Sequence, residues 1–138
     1  AKLFPHIIVS EEACPMWVPL VENGEADSPG ADYYVRKHLD ALLCKDKAID
    51  TIVLACTHYP LLRQKIKRLI TPSITVVSQG EYAASSLQDY LGRHSEMDAR
   101  LSKSGSIRYL TTEQADKFAE KASVFLEEKV QAEQATID

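Results

Sequence analysis

The chain has 138 residues, about one domain's worth, and its 45% hydrophobic content suffices for one packed core, which excludes wholesale disorder. Sixteen Lys and Arg against twenty Asp and Glu leave a formal charge of −4, so neither nucleic acid nor an anionic membrane surface is expected as a main partner. No apolar run approaches the ~20 residues that span a bilayer, the N-terminus lacks the features of a signal peptide, and three cysteines form no CxxC pair, which together imply a soluble, cytoplasmic chain with reduced thiols.

In chain order, residues 6–10 are apolar and β-branched and read as a buried strand ended by Glu11-Glu12. Residues 14–30 hold Pro15, Pro19 and Pro29, which argue for a semi-irregular segment closed by a turn at Asp27-Ser28-Pro29-Gly30. Between residues 31 and 43, Ala31, Tyr34, Val35, Leu39, Leu42 and Leu43 recur at helical spacing. Residues 49–55 are the clearest strand, because Ile52 to Ala55 is wholly apolar, as a parallel strand covered on both faces should be. Leu61, Leu62, Ile66, Leu69 and Ile70 then mark a helix closed by Thr71-Pro72, and residues 74–78 form another strand.

The order strand, helix, strand, helix, strand predicts an α/β fold, a parallel-sheet lobe with flanking helices and right-handed crossovers. Ligands in such sheets lie beyond the carboxyl ends of the strands. Residues 80–91 read as a helix, 93–106 as a polar loop and 107–110 as a strand. Thr111-x-x-Gln114 resembles a capping box opening a last helix, whose stripe is Ala115, Phe118, Ala122, Phe125, Leu126 and Val130.

Chemistry concentrates in Ala55-Cys56-Thr57-His58-Tyr59-Pro60, at the end of the best strand and the start of a helix. Backbone N–H groups there favour anions and give a nearby cysteine partial thiolate character, so Cys56 leads as a reactive group. The bland alternative is a buried Cys beside a capping Thr. No metal is expected, because Cys56 and His58 are two of the three or four ligands zinc needs. Glu22, after the apolar Pro19-Leu20-Val21, either orients His58 or stays solvated in a turn; residue types alone favour the solvated turn. Cys14 and Cys44 read as structural, Trp17 as core, and His6, His38 and His94 as edge or surface residues. The basic stretch 63–68 is a solvated helix face without aromatic interleaving.

Two strings together resemble the carboxyl-terminal portion of bacterial glutamate racemase, in the aspartate/glutamate racemase family: Cys14-Pro15-Met16-Trp17-Val18-Pro19-Leu20-Val21-Glu22 and Leu54-Ala55-Cys56-Thr57-His58-Tyr59-Pro60-Leu61-Leu62. The resemblance implies one lobe of a two-lobed racemase plus a return segment, with residues 1–79 as the second lobe and 80–138 completing the first. It implies interconversion of L- and D-glutamate without pyridoxal phosphate or any other cofactor, for peptidoglycan synthesis, by two cysteines on opposite faces of the substrate. On the matching positions Cys56 is the second of these, acting on L-glutamate, with His58 and Glu22 assisting it. Thr57 and His58 contact the substrate.

Nothing in the chain matches the family's amino-terminal motifs, including the segment with the first cysteine. The missing amino-terminal half is therefore the expected partner, the full-length protein is expected to be a homodimer, and the isolated chain is expected not to racemise. The lack of an initial Met fits a chain cut from a longer protein. Three alternatives stand beside this reading: a racemase acting on aspartate or a related amino acid, a non-catalytic interaction domain, and a cysteine hydrolase built on Cys56, His58 and Glu22.

Overall fold

The computed structural model describes residues 3–137 and divides into two compact units between Ser85 and Ser86. In the first unit, α1 (Trp17–Glu22) and α2 (Pro29–Lys45) precede β1 (Thr51–Leu54). A 3-10 turn (Tyr59–Leu62) runs into α3 (Arg63–Leu69), and β2 (Thr75–Ser78) pairs parallel to β1, with Thr51 opposite Thr75 and Leu54 opposite Ser78. Helix α4 (Gln79–Arg93) carries the division between the units.

Each element has a local cause. Ser28 caps α2, its Oγ accepting from the Ala31 N–H at 3.2 Å, while Pro29 takes the first helical position, where its missing N–H costs nothing. Ala31, Val35 and Leu39 then form the buried stripe that the spacing predicts. Against it lie Leu62 and Ile66, both fully buried; burying a side chain of that size contributes about 1.5–3 kcal/mol. Lys65, only 4% exposed, satisfies its ammonium with the Asp32 carboxylate and the Ser28 carbonyl and so ties α3 to the start of α2.

Four sequence expectations change in this unit. The proline-rich segment is not irregular throughout, because Pro19 falls in the first turn of α1, where a missing N–H forfeits no helical bond. The end of α1 is equally well defined: the Glu25 N–H bonds the Leu20 carbonyl and the Gly24 N–H bonds the Val21 carbonyl, with Gly24 at φ +72°. Residues 6–10 form no strand, and Ile8 and Val9 are exposed. A β-branched run becomes a strand only beside a neighbouring edge with a covering layer, and here the run lines an open groove of about 960 Å³ against β1. For the same reason β1 is covered on one face only, Ile52 and Leu54 being buried and Val53 exposed. The helix expected from Leu61 begins as the 3-10 turn, so the α-helix proper starts at Arg63.

The second unit holds the end of α4, the single turn α5 (Ser95–Asp98), β3 (Tyr109–Thr111), α6 (Ala115–Leu126) and β4 (Ala132–Gln134). β3 and β4 pair in parallel, Tyr109 opposite Ala132. Helix α5 interrupts the expected loop, and β4 is an added strand. The capping box does not form: α6 starts after Gln114, which makes no side-chain cap, and Thr111 Oγ1 instead accepts from the Glu113 N–H at 3.1 Å. No residue of α6 is buried. Among the described residues, no helix is long and apolar enough to cross a membrane.

Candidate active site

Strand β1 delivers the chain to Ala55 and Cys56 at its carboxyl end, and two residues of turn then place His58 at the mouth of the 3-10 turn. Cys56 Sγ lies 3.9 Å from His58 Nδ1, and Thr57 Oγ1 lies 3.2 Å from the same nitrogen. On the other side of the ring His58 Nε2 meets Glu22 Oε1 at 2.6 Å. Both side chains of that pair are mostly buried, 23% exposed for His58 and 29% for Glu22. Glu22 is thus not the solvated turn residue that residue types alone favour.

The geometry dictates the roles of the two nitrogens. An ionised carboxylate only accepts, so Nε2 carries a hydrogen toward Glu22. In the neutral ring Nδ1 is then an acceptor facing the sulfur and the Thr57 hydroxyl; in the protonated ring it is a donor to both. One imidazole is therefore placed to take a proton from Cys56 or to return it, with a carboxylate hydrogen-bonded to its far nitrogen.

The aromatic residues around this line are ordered. Trp17 is 3% exposed, as a core residue should be, and its Nε1 donates to the Tyr34 carbonyl at 3.3 Å. Its ring meets that of Tyr59 edge-on at 4.8 Å between centroids, and the Tyr59 hydroxyl donates to the Cys14 carbonyl at 3.4 Å. Burial pushes the Tyr59 phenol above its ordinary range, so the hydroxyl stays a donor.

The other two cysteines differ from each other. Cys14 is buried, its Sγ donating to the Glu12 carbonyl at 3.7 Å, and burial followed by the Glu12 charge pushes its thiol up to about 11. It is a packing residue. Cys44 is exposed on the last turn of α2, so it does not belong to the core. His38 is not a surface residue either, since its side chain is 11% exposed and its Nδ1 pairs with Glu12 Oε1 at 2.9 Å. Glu12 also takes Lys45 at 2.8 Å, and the hydrogen bonds from Lys45 and then His38 hold its carboxyl below the usual range. This cluster fastens the stretch before Cys14 to α2. The pairing of positions 12 and 38 left no trace in local sequence pattern. Among the described residues, no three His, Cys, Asp or Glu side chains converge as metal ligands would.

The chain is similar to known proteins in sequence and in fold. The chain is 38% identical over 121 residues to a glutamate racemase of Shouchella clausii, 88% of this chain and 42% of that protein. A Paracoccus denitrificans glutamate racemase is 36% identical over 127 residues, 92% of this chain and 45% of that protein. A Streptococcus pyogenes glutamate racemase is 35% identical over 135 residues, 98% of this chain and half of that protein. The crystal structure of a Bacillus anthracis glutamate racemase isoform superposes with a TM-score of 0.80 at 28% identity, covering 99% of this chain and 50% of that one. The glutamate racemase of Francisella tularensis, solved with D-glutamate, shares the fold at a TM-score of 0.81 and 23% identity. No family model matches the chain. The chain spans about half the length of the curated relatives it matches. By sequence and by fold it is related to the glutamate racemases and corresponds to their carboxyl-terminal portion.

Proposed function

We propose that this chain supplies one of the two half-sites of a cofactor-independent glutamate racemase. The observation that carries the reading is the line Cys56–His58–Glu22 at the carboxyl end of β1, with contacts of 3.9 and 2.6 Å. An α-proton beside a carboxylate is very weakly acidic, so the base must touch it and the developing negative charge must meet preorganised donors. A thiol serves because it is accessible as both thiolate and acid.

In the forward direction Cys56 thiolate takes the α-proton of L-glutamate, forming the S–H bond as the C–H bond breaks and leaving the electron pair on Cα. A second cysteine, on the amino-terminal half of the protein, delivers its thiol proton to the opposite face and gives D-glutamate. His58 governs the proton on Cys56, Glu22 holds the imidazole, and Thr57 and His58 contact the substrate. The product is destined for peptidoglycan, and the assembled protein is a cytoplasmic homodimer. Residues 1–79 serve as the second lobe and 80–138 as the return segment completing the first; that the apolar stripe of α6 is only half-buried supports that assignment.

Because the opposite cysteine lies outside the chain, these residues alone are inert. The test is to mix the chain with a separately produced amino-terminal half of a relative and follow the optical rotation of glutamate. Activity is expected only in the mixture and is expected to vanish with Cys56→Ala; activity that survives this change removes the thiol from its role. In heavy water the chain alone should leave the glutamate α-proton in place, and exchange at Cα would show that the half-site works unaided.

A further inference from the structure

The contact between His58 and Glu22 joins residues 36 positions apart through two short segments, each too short to be held by its own hydrogen bonds alone. Glu22 is the last residue of α1, a helix of only six residues. His58 sits on a turn between β1 and the 3-10 turn. Something must fix the first segment against the second, since a carboxylate displaced by about 1 Å loses a hydrogen bond of this kind.

Two aromatic residues of the same segments do this. Trp17 opens α1, five residues before Glu22, and Tyr59 directly follows His58. Their rings meet at 4.8 Å and 66° in an edge-to-face contact. Trp17 is anchored from behind by its bond to the Tyr34 carbonyl, and Tyr59 is anchored again by its bond to the Cys14 carbonyl, three residues before Trp17. The aromatic pair and the ion pair thus clamp the same two segments at separate points, about 7.5 Å apart along the helix axis.

We infer that Tyr59, by its ring against Trp17, is a positioning residue that sets the reach of Glu22 to His58. The inference rests on the racemase reading only in giving that reach a catalytic purpose; the geometry it describes is independent of turnover. The hydroxyl of Tyr59 is secondary, because its 3.4 Å bond is long and the ring alone keeps the contact with Trp17.

The test uses the whole 138-residue chain with 15N-labelled histidine, reading the ring-nitrogen resonances of His58, with Glu22→Gln as the reference for a lost carboxylate. Tyr59→Leu, checked for a cooperative thermal transition, should move the His58 Nε2 resonance to the position seen in Glu22→Gln. Tyr59→Phe should leave it in place, the conservative ring rescuing the signature. A folded Tyr59→Leu chain with an unmoved resonance overturns the inference, since a purely structural ring lowers the melting temperature and leaves the pair intact. If Tyr59→Leu does not fold, Trp17→Phe decides: a resonance moved part of the way supports the clamp, and an unmoved one overturns it. A normal His58 signature in a reconstituted enzyme without racemisation counts against the racemase reading alone.

Discussion

Glu22 Oε1 and His58 Nε2 stand 2.6 Å apart, so a carboxylate at the end of one helix determines which nitrogen of the imidazole faces Cys56. A hydrogen bond to a charged partner is worth about 1.5–3 kcal/mol. Glu22→Gln keeps the shape and removes the charge of the acceptor. In the reconstituted racemase this change should lower kcat/KM by roughly 10- to 100-fold, each 1.36 kcal/mol being a factor of ten. The comparison to make is Glu22→Gln against wild type in the optical-rotation assay; equal rates would remove Glu22 from the proton relay.

Gly24 ends the helix that carries Glu22, at φ +72°, with open space where a Cβ would sit. Any penalty for a side chain there is conformational and not steric crowding by neighbours. Gly24→Ala should cost about 1–2 kcal/mol, and Gly24→Asn less, because Asn tolerates the left-handed region. Urea midpoints of the two variants test the order, and an Ala variant as stable as wild type would show that the turn relaxes elsewhere.

What could be read from sequence and what could not divide along a physical line. Helix α2 was legible because its stripe of Ala31, Val35 and Leu39 is a local periodicity, and β2 because its apolar run is local too. Residues 6–10 carry the same signal as β2 without its outcome, since a strand needs an edge and a cover that its own residues cannot supply. Strand β4 has the opposite problem: Ala132–Gln134 shows no apolar alternation, and only its pairing with β3 makes it a strand. Helix α1 was obscured by Pro19, whose effect depends on whether it falls in the first turn or the middle of a helix. The site shows the same division. Cys56, Thr57 and His58 are neighbours in sequence, whereas the approach of Glu22 to His58 and of Glu12 to His38 comes from tertiary folding across 36 and 26 positions.

Lys65 and Asp32 make an unequal pair, the lysine 4% exposed and the aspartate 56%. Removing either partner removes the same bond, but what remains differs. Asp32→Asn strands a buried ammonium with only neutral acceptors, while Lys65→Met replaces the stem with apolar atoms and leaves a carboxylate that water can reach. Asp32→Asn should therefore lower the melting temperature more than Lys65→Met. The reverse order in thermal unfolding would mean that the ammonium reaches solvent. The pair also sets an acid limb. Lys65 holds the Asp32 carboxyl below its ordinary value, so the stability it contributes is present above about pH 3.8 and is lost as pH falls through the lower folded value.

Cys14 sets the alkaline limb by the opposite sign. Its thiol ordinarily titrates near 9 and is pushed up to about 11 in the fold, first by burial and then by the Glu12 charge. Between these values the unfolded chain has lost the proton and the folded chain has kept it, so the unfolded state binds fewer protons and stability falls as pH rises. Two pH units at about 1.4 kcal/mol each make the fall roughly 3 kcal/mol at most. Cys14→Ala should flatten the decline between pH 9 and pH 11, at the cost of a small cavity that lowers stability at neutral pH. The same protonation makes Cys14 slow to react: iodoacetamide at neutral pH should label exposed Cys44 and half-exposed Cys56 before Cys14, as mapped by mass spectrometry. Early labelling of Cys14 in the folded chain would mean that its burial is transient, and the alkaline limb should then disappear with it.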